Sequence, residues 1–141
     1  MRIVTWLTAL LLVAAPAAAE QMTLYSYAAG DHFVEFGREG GIGDLTVWNG
    51  ELQDEAGNRL GTDAGTCIRV DAEGAHVCTI VIDHEGHGII NLNGVQKPEP
   101  RPSTLVIVGG TGAYEGITGS LSSTPVEDRA RFKYEIDYRV D

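Results

Sequence analysis

Basic residues are scarce. Ten Lys and Arg stand against twenty Asp and Glu in 141 residues, a formal charge of −10 at pH 7. So acidic a surface repels nucleic acid and anionic membranes, and neither is an expected partner. Helix signals are scarce as well. No segment sustains an apolar spacing of three and four, and eighteen glycines interrupt the chain. Long apolar runs are lacking apart from residues 3–15, which are too few to span a bilayer as a helix. Repeats and low-complexity tracts are absent. Cysteines number two, Cys67 and Cys78.

The one apolar run has a meaning of its own. Arg2 supplies a positive start, residues 3–15 an apolar middle, and Ala17-Ala18-Ala19 a small-residue cleavage site. The pattern is that of a signal peptide over residues 1–19, which leaves 20–141 as a single domain with one core. No Cys follows the run, so lipid attachment is not expected. The expected location is the periplasm or the extracellular space.

Export permits a disulfide. In "TCIRVDAEGAHVC" a four-residue turn, Asp71 to Gly74, sets Cys67 opposite Cys78 in a hairpin. Opposite Cβ atoms lie about 4.5–5.5 Å apart, and a bridge needs about 3.5–4.5 Å. Only the closer, non-hydrogen-bonded kind of pair serves. Two buried thiols are the alternative.

Alternation with period two recurs along the chain. Phe132, Tyr134, Ile136, Tyr138 and Val140 share one face, with charges on the other. Further strands are expected at 22–28, 32–36, 44–50, 66–70, 76–83, 88–93, 103–108 and 116–122. Turn signals separate them: Gly40-Gly41, residues 54–58, 71–74 and 84–86. Residues 97–102, rich in proline, form an extended connector. Strands this short and this regular make a sandwich or a closed barrel.

"VIVGGTGAYEGITG", residues 106–119, invites a nucleotide-binding reading. It fails on detail. A Walker loop needs a lysine, and a dinucleotide fingerprint needs Gly-x-Gly-x-x-Gly opening a helix. Here the last spacing is one residue too long and no helix is signalled. The glycines are therefore read as structural. Gly109, Gly110 and Gly112 let the strand turn sharply, Tyr114 covers a barrel end, and Gly116 and Gly119 suit a bent or bulged strand.

"LVIVGGTGAYEGITGSL" also resembles a segment of plant allene oxide cyclases. "LYSYAAGD", "GDLTVWNGEL", "AGTCIRV", "HEGHGIINLNG" and "RFKYEIDY" resemble other segments of that family in the same order, from about Leu24 to Tyr138. Dirigent proteins share the barrel and a similar glycine turn. The resemblance implies an eight-stranded antiparallel β-barrel, often a homotrimer, with a small apolar cavity. In the plant enzymes it implies cyclisation of a fatty-acid epoxide. The family glutamate and asparagine that hold a water on the epoxide fall on Ala28 and Gly30, so plant-type cyclisation is not expected. Cys67 matches a cavity cysteine, and the dirigent arginine falls near Ile117-Thr118.

Carrying over the family's cavity positions puts Ser26, Ala28, Thr46, Trp48 and Cys67 inward. Pairing adds Cys78, Ile80 and Ile82. Such a lining suits a small hydrophobic ligand, although side chains can also simply fill an eight-stranded barrel. Tyr25 and Tyr27 then face outward, as subunit-interface aromatics do. His84 and His87 sit on a turn with too few companions for zinc; no metal and no cofactor are expected. The leading expectation is an exported barrel that binds or isomerises a small apolar molecule. A filled structural barrel and a dirigent-like guide for reactive intermediates are the alternatives.

Overall fold

The computed structural model describes residues 18–35, 41–98, 100–126 and 131–141. Most of the expected signal segment, residues 1–17, lies outside them, as do Phe36 and Gly40 from an expected strand and turn.

Eight strands form one closed antiparallel barrel, each paired with its sequence neighbours and the last with the first. They are β1 (Glu20–Val34), β2 (Leu45–Gln53), β3 (Arg59–Arg69), β4 (His76–His84), β5 (Gly88–Gln96), β6 (Ser103–Gly110), β7 (Ile117–Val126) and β8 (Arg131–Val140). Closure is by β1 on β8, with Leu24 opposite Tyr134 and Met22 opposite Ile136.

Alternation explains which side chains enter. On β4, Cys78, Ile80 and Ile82 are buried, while Val77, Thr79 and Asp83 are exposed. On β8, Tyr134 and Ile136 point in and Glu135 and Asp137 point out. One half of the lumen is filled by Leu24, Leu52, Ile82, Ile90, Leu92, Leu121 and Ile136, all at most 1% exposed. Burial of such a side chain contributes roughly 1.5–3 kcal/mol, so this packed half anchors the fold. Toward the β3–β4 turn the inward residues shrink: Ser26 and Ala28 on β1, Gly65 on β3, Ser123 on β7. Small side chains there leave the barrel partly hollow.

Three expectations are corrected. The stretches 22–28 and 32–36 are not two strands but one, β1, interrupted by a bulge: Ala28 pairs with Gly50, Gly30 with Asn49, and Ala29 has no opposite residue. Strand β3 begins seven residues before the expected 66, at Arg59. Of the bent or bulged strand expected near Gly116 and Gly119, the bulge lies instead on β6. Gly109 and Ile107 face Asn91 and Leu92, which leaves Val108 over, whereas β7 runs unbroken against β8.

Candidate functional site

The hollow half holds a cavity of about 160 Å³. Its wall is made by Ser26, Ala28 and Asp31 of β1, Thr46 and Trp48 of β2, Ile80 of β4, Gln96 of β5, Leu105 of β6, Ser123 of β7, and Phe132 and Tyr134 of β8. Apolar and aromatic surface predominates, with hydroxyls placed among it. Trp48 takes its place because β3 offers no side chain opposite it. A Cβ at Gly65 would lie 2.6 Å from indole atoms Cε2 and Cζ2. The ring packs against bare backbone, an approach that only glycine permits. An outer recess of about 240 Å³ shares Thr46, Trp48 and Gln96 with the cavity and adds Phe33, His76, Lys97 and Pro98.

A buried carboxyl stands behind the inner end of the cavity. Asp63 is 2% exposed. The Tyr134 hydroxyl donates to its Oδ2 at 2.9 Å. Ser26 faces the same carboxyl, and both crowd the Cα of Gly50: a Cβ there would lie 2.5 Å from Asp63 Oδ1 and 2.8 Å from Ser26 Oγ. Oδ1 itself makes no aligned hydrogen bond. Burial raises the Asp63 carboxyl above the ordinary carboxylate range, and the hydroxyls of Ser26 and Tyr134 pull it part of the way back. Burial, and then the Asp63 charge, push the Tyr134 phenol well above its ordinary value. Tyr134 and Ser26 reach the cavity and Asp63 backs them, so a proton can pass between a ligand and Asp63 through the phenol.

Cys67 and Cys78 form a disulfide across the β3–β4 hairpin, with Cα atoms 4.1 Å apart. The turn is closed by a hydrogen bond from Val70 N–H to the Ala75 carbonyl. The Gln96 amide oxygen packs on the bridge, 3.5 Å from Cys78 Sγ and 3.7 Å from Cys67 Sγ.

The opposite end of the barrel is plugged. Gly112–Tyr114 is a single 3₁₀ turn that drops the Tyr114 ring into the core. The Tyr114 hydroxyl lies 2.5 Å from Nδ1 of His84 and 3.8 Å from the Met22 sulfur. Its ring meets Tyr138 edge to face, and His84 stacks on His87. Gly112 has φ +64°, and a Cβ there would lie 2.5 Å from the His87 carbonyl oxygen. The N–H groups of Thr111, Ala113, Tyr114 and Glu115 all donate to backbone carbonyls. The loop therefore presents no open array of donors to a phosphate. Burial, then the His87 charge, lower the His84 pKa. Burial and the hydrogen bond to Glu20 push Tyr138 up to about 12. Among the described residues, no three His, Cys, Asp or Glu side chains gather as a metal site.

The sequence-expected residues are distributed unevenly. Ser26, Ala28, Thr46, Trp48 and Ile80 lie on the cavity wall; Cys67 lines only the outer recess, its sulfur taken by the bridge. Gly109 and Gly110 end β6, and Tyr114 is buried just beyond. Tyr25, expected outside as an interface aromatic, is buried, and Tyr27 is half-buried. Tyr25 stands between Gln53 and Lys133, side chains long enough to cover it. Two carboxyls at the cavity escaped the sequence reading. Asp31 reaches the cavity because the bulge shifts the alternation by one residue. Asp63 sits on the part of β3 that was not expected to be strand. The signals available were the small residues Ala28-Ala29-Gly30, typical of a bulge, and the period-two row Gly61, Asp63, Gly65, Cys67.

Fold and site together define a small antiparallel barrel with a partly hollow lumen. The chain belongs to the allene oxide cyclase barrel like domain family, whose model matches residues 21–137. It is similar to a solved pyocyanin demethylase at 26% identity and TM-score 0.76, covering 84% of this chain and 99% of that one. The pterocarpan synthase dirigent protein PsPTS1 matches at 15% identity and TM-score 0.72, over 87% of this chain and 96% of its own. The Diels Alderase AbmU from Streptomyces koyangensis matches at 18% and TM-score 0.71, over 86% and 64%. The last two likenesses are of fold alone. No curated protein sequence matches the chain. Among the described residues no helix is long and apolar enough to cross a membrane.

Proposed function

We propose that this barrel binds a small, ring-bearing apolar molecule in its lumen and isomerises it by proton transfer through Tyr134, backed by Asp63. The observation that carries the reading is the juxtaposition of a cavity and a buried carboxyl–phenol pair at its inner end. A positioned acid or base is what proton-transfer catalysis requires, and a raised carboxyl pKa brings Asp63 nearer neutral pH. The likeness to pyocyanin demethylase, at 26% identity, supports a small-molecule ligand. Plant-type epoxide cyclisation is not part of the reading, because Ala28 offers no polar group where the family carries glutamate.

A second reading is a barrel that acts without catalysis. It is favoured by the tightly filled half of the lumen and by a cavity below the roughly 300 Å³ at which ligand pockets usually begin. The signal-like residues 1–19 and the Cys67–Cys78 bridge support export to an oxidising compartment. Exposed aliphatic side chains on β4 to β6, Val77, Val95, Val106 and Val108, support a homotrimer through that face, as in the family.

The lumen reading is tested by NMR. Isotope-labelled protein is titrated with a library of small aromatic molecules. Binders are expected to shift Thr46, Ile80 and the Trp48 indole N–H together. Shifts confined to the outer face, or none, contradict it.

A further inference from the structure

We propose that the cavity selects organic cations: small molecules with an apolar ring and a quaternary or protonated nitrogen seated between Asp31 and Trp48. The inference rests on the lumen-binding reading above and names the ligand class for that site.

The wall's charge is one-sided. Among the described residues that line the cavity, Asp31 is the one Asp, Glu, Lys or Arg. Its carboxylate has no hydrogen bond or ion pair among the described residues. Two cations among the described residues toward the rim are placed elsewhere. Arg69 donates through Nε and Nη2 to the carbonyls of Asp71 and Ala72, both at 3.0 Å, and so belongs to the β3–β4 turn. Lys97 lines the outer recess, not the cavity.

The aromatic partner is set by register. Asp31 and Trp48 are directly opposite in the β1–β2 ladder, and both line the cavity. The bulge at Ala29 turns Asp31 inward, and Gly65 lets the indole pack close against β3. An indole face attracts a cation through its quadrupole, and an adjacent carboxylate adds direct charge. Phe132 and Tyr134 continue the aromatic wall inward. The volume of about 160 Å³ is close to the roughly 150 Å³ of an apolar cavity that takes one benzene ring. The net charge of −10 adds longer-range attraction for cations and repels anions. A ligand ending in a carboxylate, as a fatty acid does, meets Asp31 with like charge.

The test is isothermal titration calorimetry of the purified protein with three probes that share a phenyl ring: benzyltrimethylammonium, benzyl alcohol and phenylacetate. Titrations are run at about 20 mM and about 500 mM salt, on either side of the point where the screening length falls below about 10 Å. At low salt the cation is expected to bind about tenfold tighter than the alcohol, with phenylacetate weakest. High salt shrinks the cation's advantage several-fold. Asp31→Asn removes that advantage. Equal binding of cation and alcohol, or a cation preference that survives Asp31→Asn, overturns the inference and leaves lumen binding standing. Failure of all three probes to bind overturns both.

Discussion

Replacing Asp63 with asparagine should stabilise this protein at neutral and basic pH and not at acidic pH. Asp63 is 2% exposed, and its Oδ1 makes no aligned hydrogen bond. A buried polar group left without a partner costs about 1–3 kcal/mol. Asparagine keeps the acceptor for the Tyr134 hydroxyl and places an amide donor where Oδ1 faces Ser26 Oγ. The expected gain at pH 8 is therefore about 1–3 kcal/mol. At roughly 4 °C per kcal/mol for a domain of this size, the melting temperature rises by about 4–12 °C. The sign with pH follows from the direction of the shift. Asp63 has a folded-state pKa raised mainly by burial. Its protonated form is favoured in the fold, so no penalty exists below the ordinary carboxylate pKa of about 3.9. The penalty opens as pH rises through the raised folded value. Thermal unfolding followed by circular dichroism, wild type against Asp63→Asn from pH 4 to pH 8, reads the difference directly. Other titrating groups cancel in that difference. A variant less stable than wild type at pH 8, or a gap that does not change with pH, refutes the reasoning.

Two further outcomes follow from the geometry. His84 has a folded pKa lowered by burial and by the His87 charge, so stability at the Tyr114 end is full above about pH 6.5 and is lost as pH falls through the lowered value; an NMR titration of His84 with a midpoint above 6.5 contradicts this. The bridge closes a sequence separation of 11 residues, and converting Cys67 and Cys78 together to serine should cost about 3 kcal/mol in denaturant-induced unfolding; an unchanged midpoint means that the bridge does not form in the purified protein.

Some of this molecule is legible in its residues and some is not, and the division is physical. Strand β8 announces itself because its inward side chains are large and apolar and its outward ones charged. Strand β3 hides because its inward row is Gly61, Asp63, Gly65 and Cys67, which carries no hydrophobic alternation to count. Those small residues make room for Trp48 and for the Tyr134–Asp63 contact, so the pattern is weakest where the cavity is built. Asp31 was missed for a different reason. Ala28-Ala29-Gly30 reads as a break between strands 22–28 and 32–36 and leaves Asp31 in the gap, whereas the strand runs on and one unpaired residue reverses which side chains face inward. The glycines at 109, 110 and 112 were readable as a turn because the helix and lysine of a phosphate loop are both wanting. Which strands that turn joins, and that Tyr114 meets His84 beneath it, depends on closure of the whole barrel.

The most direct test of a ligand-holding lumen is native mass spectrometry of the protein purified from its own host, beside Ala28→Phe, which adds a ring to the cavity wall. The expected spectrum shows the wild type with a non-covalent companion of small-molecule mass, lost on gentle activation, and the variant bare. Bare protein in both preparations, or the same companion retained by the variant, contradicts it.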